Sequence, residues 1–187
     1  MVEEHGYGNG SGLERSRTEG RDVVLHAIHN LGALYADQGK LGEAEKMYMR
    51  ALQGYEDEEV LGPKHTSTLD TVGNLGLLYA DQGKLGEAEK MYMWALQGYE
   101  EALGMENVDR YIPALNTMWG LGNLFQAQKE LVQAKQMFQR ALTGFQVVIG
   151  ASCAQSQQLG RALASLDAPK SKSRTLIGKI KRRIFNS

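Results

Sequence analysis

The sequence predicts an all-α chain, a right-handed solenoid of three helix pairs closed by a C-terminal helix, and three observations carry that prediction. Twenty-seven residues from Asn30 to Glu56 recur from Asn74 to Glu100 with two changes, Ala33 to Leu77 and Arg50 to Trp94. A diverged third copy runs from Gly120 to Gln146; it keeps ten of those positions, nearly all apolar or small, and carries Phe125, Phe138 and Phe145 in place of three tyrosines. Strand-like alternation is absent, and Pro63, Pro113 and Pro169 stand at connections or helix starts. A fixed period marks stacked units that cannot bury their apolar faces alone. Charged positions vary freely between copies, as expected where the shared requirement is packing.

Residues 1–21 set Gly6, Gly8, Gly10 and Gly12 among Ser, Glu and Arg, a composition that buries too little surface to offset ordering entropy, and this arm reads as disordered. It lacks the apolar core of a signal peptide, and no stretch approaches the roughly 20 apolar residues of a membrane span. The sequon Asn9-Gly10-Ser11 reads as chance without a secretory route. The first helix carries the stripe Leu25, Ile28, Leu31, Leu34 and Tyr35 and ends at Asp37-Gln38-Gly39-Lys40, where Gly39 can adopt the left-handed closing conformation. Its partner carries Ala44, Met47, Tyr48, Ala51, Leu52 and Tyr55 at i, i+3, i+4, i+7, i+8 and i+11. Gly32 and Gly76 recur mid-helix despite a cost of about 1 kcal/mol relative to alanine, which suggests backbone-to-backbone contact there.

The repeats are bounded at about 22–61, 66–104 and 111–149 within a domain of 22–168, and 42% apolar residues support one modest unit. A last helix over 152–166, with Leu159, Ala162, Leu163 and Leu166 at helical spacing, either caps the stack or is a truncated fourth repeat. The tail 169–187 holds seven basic residues (Lys170, Lys172, Arg174, Lys179, Lys181, Arg182 and Arg183) and no acidic ones; taking +7 from a net charge of −1 leaves −8 on the rest. If helical, Ile177, Ile180 and Ile184 share a face, which suits an anionic membrane or a nuclear import receptor; the alternatives are a solubilising tail or a helix capping the stack.

Leu31-Gly32, Tyr35, Ala44, Tyr48 and Ala51 recur as Leu75-Gly76, Tyr79, Ala88, Tyr92 and Ala95, then as Leu121-Gly122, Phe125, Ala134, Phe138 and Ala141. This alternation of small and large residues resembles the packing signature of tetratricopeptide repeats. The copies start 44 and 46 residues apart, longer than the usual unit of about 34, and with the connection Leu61 to Leu69 they are similar to the kinesin light chain type. They also resemble the repeat arrays of fungal NACHT or NB-ARC signalling proteins. The resemblance covers about residues 22–150. It implies a protein-interaction scaffold that holds a peptide or helix in the groove lined by the first helix of each pair.

Carried over by position, the resemblance assigns ligand contact to His26, His29, Asn30, Ala33 and Asp37 in the first copy and to Asp70, Asn74, Leu77 and Asp81 in the second. Asn116, Trp119, Asn123 and Gln126 follow in the third. An amide offers donors and an acceptor, so Asn30 and Asn74 could pair with a peptide backbone or else bridge neighbouring helices. No lysine or arginine stands at these positions, which argues against a clamp for a terminal carboxylate and suits a neutral or basic segment with an apolar anchor. Gly120 replaces the asparagine in the third copy, which breaks the series. Trp94 reads either as an interface anchor or as packing against the third repeat.

Signals for chemistry are thin, and no enzyme, cofactor, metal or nucleic-acid partner is expected. His26 and His29 are three apart but have no third ligand spaced to complete a zinc site. Gly39-Lys40 and Gly83-Lys84 lack the rest of a phosphate loop, while Glu43, Glu45, Glu87 and Glu89 suit helix amino termini. The single Cys153 excludes an intrachain disulfide, so a cytoplasmic setting is expected, and inert packing is its simplest role. The near-identical copies also raise weak self-association between chains.

Overall fold

The computed structural model describes residues 10–56 and 61–167, with side chains from residue 20 onward, and these residues form helices with no strand among them. Three antiparallel pairs follow in order: α1 (Gly10–Asp37) with α2 (Leu41–Tyr55), α3 (Thr66–Asp81) with α4 (Leu85–Leu103), and α6 (Ile112–Ala127) with α7 (Leu131–Val148). The single turn α5 (Met105–Val108) lies in the second connection, and α8 (Ala154–Asp167) packs on α7. Each second helix also packs on the first helix of the next pair, so the array is a solenoid.

Two features differ from the sequence reading. Residues 10–21, read as part of a disordered arm, continue α1 back to Gly10; Ser, Glu, Arg and Thr are all serviceable in a helix, and extending an existing helix avoids a new nucleation step. The glycines mid-helix receive an aromatic ring instead of a second backbone. A Cβ on Gly32 would stand 2.8 Å from the Tyr48 ring, and one on Gly76 would stand 2.7 Å from the Tyr92 ring. Phe138 lies on Gly122 in the same way. The tail from 168 to 187, with its basic and isoleucine positions, lies outside the described residues.

The turn within each pair follows the glycine signal. Gly39 and Gly83 adopt φ of +71° and +75°, and Lys40 and Lys84 donate their backbone N–H to Tyr35 and Tyr79 at 2.9 and 2.8 Å, closing the helix end. Lys129 occupies this place in the third copy with φ of +67°, and its neighbour Glu130 makes the same bond to Phe125. Here the flanking helices hold a non-glycine residue in the left-handed region.

The main core runs through all three pairs, from Tyr48 and Leu52 through Leu69, Leu75, Tyr92 and Tyr99 to Leu121, Phe138 and Phe145. Leu159 and Leu163 of α8 close its far end. Trp94 is half-buried against this core. The same register holds Arg140 in the third copy, where it donates to Glu100 (2.6 Å) and Asp109 (2.7 Å) and ties α7 to the second pair. Glu45 and Glu89 act as latches between pairs, accepting from Gln82 at 3.0 Å and Gln128 at 2.9 Å. Among the described residues, no helix is long and apolar enough to cross a membrane.

Candidate binding groove

The first helices α1, α3 and α6 frame a groove of about 480 Å³ whose lining includes His29, Asp70, Asn74, Leu77, Asn116, Trp119 and Asn123. Seven expected contact positions therefore converge on one surface. His26, Asn30, Ala33, Asp37, Asp81 and Gln126 do not line it; His26 and Ala33 are half-buried, Ala33 against the core, and the other four are exposed. Helical spacing brings 70, 74 and 77, and likewise 116, 119 and 123, onto one face of each helix.

Tyr92 and Tyr99 of α4 complete the groove from the second-helix layer. Tyr92 explains the missing third asparagine: a Cβ on Gly120 would stand 2.7 Å from the Tyr92 hydroxyl, so only glycine leaves room for that ring. Tyr99 donates to Asp70 Oδ1 at 2.7 Å, and Tyr111, just before α6, donates to the same carboxylate at 3.1 Å. Asp70 therefore joins three elements. Burial pushes its carboxyl pKa up, and the two tyrosine hydroxyls pull it back by stabilising the charged form.

The histidines are engaged within the fold. His29 Nδ1 lies 2.8 Å from Thr71 Oγ1, whose own proton goes to the Ser67 carbonyl at 2.9 Å, so the imidazole is the donor. Its Nε2 then accepts from Asn74 Nδ2 at 3.3 Å. This arrangement requires neutral imidazole, and burial holds the His29 pKa below its ordinary value. His26 contacts Asp22 through Nδ1 and Ser67 through Nε2 at 3.2 Å. His26, His29 and Asn74 thus bridge α1 to α3, and Asn74 still faces the groove.

The tyrosine cluster around Asp70 escaped the sequence reading, although a signal was present. One register holds His26, Asp70 and Asn116, and the facing register of the second helix holds Tyr55, Tyr99 and Phe145. Only the middle pair matches a carboxylate to a hydroxyl. A larger hollow of about 720 Å³ lies beside α7 and α8, lined by Leu131, Val132 and the ion-paired Arg140. It contains none of the expected contact positions.

No curated protein sequence matches this chain. Among solved structures, BtubC (BKLC) from P. vanneervenii is similar at a TM-score of 0.66 and 20% identity, over 78% of this chain and 56% of that one. This chain therefore spans little more than half the length of that relative. The N-terminal domain of stress-induced protein-1 (STI-1) from C. elegans is similar at a TM-score of 0.55 and 21% identity, over 78% of this chain and 96% of that one. At these identities the likeness is one of fold. Residues 23–101 match the sequence model of the tetratricopeptide repeat, and the third pair repeats the same glycine-on-ring packing.

Proposed function

We propose that the chain is a protein-interaction scaffold whose groove holds a neutral or basic peptide segment with an apolar anchor. The observation that carries this is Leu77. It is one of only two changes between the first two copies, and it places a large apolar side chain, 54% exposed, in the groove where the first copy has alanine. Trp119 lies in the same groove, and the amides of Asn74, Asn116 and Asn123 stand around them with donors and acceptors for an extended backbone. Asp70 supplies the only formal charge in the lining, which favours a lysine or arginine on the ligand over a carboxylate. Binding, rather than chemistry, is what such a lining offers.

A displayed random-peptide library selected on the intact chain tests this reading. Selected peptides should carry an aromatic or aliphatic anchor and few acidic residues, and should lose at least tenfold in affinity for a Leu77→Ala plus Asn123→Ala variant. Both side chains are exposed, so this variant should fold as the parent does. Peptides that bind the variant and the parent equally would place the ligand elsewhere.

A further inference from the structure

The first helix presents a second surface on the side turned away from His29. Val24, Ala27, Leu31 and Leu34 follow a 3-4-3 spacing, the seam of a two-helix coiled coil. All four are exposed, Val24 at 56%, Leu31 at 38% and Leu34 at 52%. The corresponding positions of α3 are Thr68, Thr71, Leu75 and Leu78, and each of them is buried. The α1 stripe is thus more apolar than its α3 counterpart and, among the described residues, is left exposed. At the other end of the array α8 buries Leu159 and Leu163 and exposes Gln158, Arg161 and Ser165. Among the described residues, α8 covers the apolar face of α7, while the stripe on α1 has no covering helix.

We propose that this face pairs two copies of the chain through antiparallel α1 helices. The faces of α2, α4 and α7 that would cover such a stripe are already occupied by α3, α6 and α8 of the same chain. Among the described residues, α1 itself is therefore the matching surface that a second copy offers. The stripe is self-complementary about its midpoint: antiparallel packing sets Val24 against Leu34 and Ala27 against Leu31, small against large in each layer. Asn30 is exposed, lies outside the groove and flanks the midpoint, where it meets its own counterpart; an amide can donate to and accept from another amide. The flanking positions Val23, Ile28, Asn30 and Tyr35 bring no like charges together.

Sedimentation velocity of the full chain across a concentration series reads the pairing directly. The mass should rise from 20.7 kDa toward twice that value, and a Leu31→Glu plus Leu34→Glu variant, checked for helicity, should remain at the lower mass. The orientation is tested in a Cys153→Ser background. Mixing Val24→Cys chains with Leu34→Cys chains should give a disulfide-linked dimer on oxidation, and each chain alone should not. A parent that stays at 20.7 kDa throughout overturns the proposal and leaves the face to a helix of another protein. So does a double-glutamate variant that associates as the parent does, or cross-linking by either cysteine chain alone.

Discussion

The first and second copies share all but two of twenty-seven residues and occupy different environments. Leu75 is fully buried and Leu78 is 2% exposed, whereas the identical Leu31 and Leu34 are 38% and 52% exposed. Leu25, Ala51 and Tyr55 form a small cluster of their own, and their counterparts belong to the continuous core. Sequence therefore sets which face is apolar, and position in the array sets how much of it is covered. A residue's contribution to stability follows the covering neighbour as much as the residue itself.

The largest expected difference is at the leucines. Leu75→Ala should destabilise by about 3 kcal/mol through lost burial and a cavity, and Leu31→Ala by less than about 1 kcal/mol. Urea melts at low micromolar protein check this. Equal losses would mean that Leu31 is covered in solution even when dilute.

A smaller contrast lies at the tyrosines. Tyr99 donates to Asp70, and the buried hydroxyl of Tyr55 has no hydrogen-bond partner among the described residues. Tyr99→Phe should cost about 1.5–3 kcal/mol because it strips a donor from a half-buried carboxylate. Tyr55→Phe should be neutral or slightly stabilising. Thermal melts of the two variants side by side decide it, and a destabilised Tyr55→Phe would show that its hydroxyl is satisfied.

The smallest effect is a pH dependence confined to the junction of the two copies. Burial lowers the His29 pKa from 6.5, and the nearby Asp70 carboxylate partly restores it. Between that lowered value and 6.5 the unfolded chain binds a proton that the folded chain excludes. The contribution of His29 to stability is complete above pH 6.5 and is lost as pH falls through the folded pKa. Urea midpoints measured at about pH 7.5 and pH 5.5 should shift less in His29→Gln than in the parent.

The helix pairs were legible because their stripes are local. Ala44 to Tyr55 and its copies state the packing face within four turns, and Gly39 and Gly83 mark the turns themselves. Lys129 shows that tertiary context can impose the same turn without glycine. The groove was partly legible, since the spacing that puts Asn74 and Leu77 on one face follows from the helix alone. The bonds of Asp70 were not legible from spacing, because Tyr99 and Tyr111 reach it from 29 and 41 residues away. Nor could sequence show that Tyr92 fills the space above Gly120. Such contacts depend on how successive pairs are offset.

Tyr48, Leu52, Leu75 and Leu78 belong to the core shared by the first two pairs, and their counterparts Tyr92, Leu96, Leu121 and Leu124 carry the same core into the third. The two joints share these apolar positions and differ at Asn74 and its counterpart Gly120. A further 44-residue segment, the interval from Asn30 to Asn74, could be spliced between the first two copies and find fitting surfaces on both sides. The array can lengthen or shorten by whole modules while its two ends keep their character, so its length is the property of this molecule that is easiest to change without redesign.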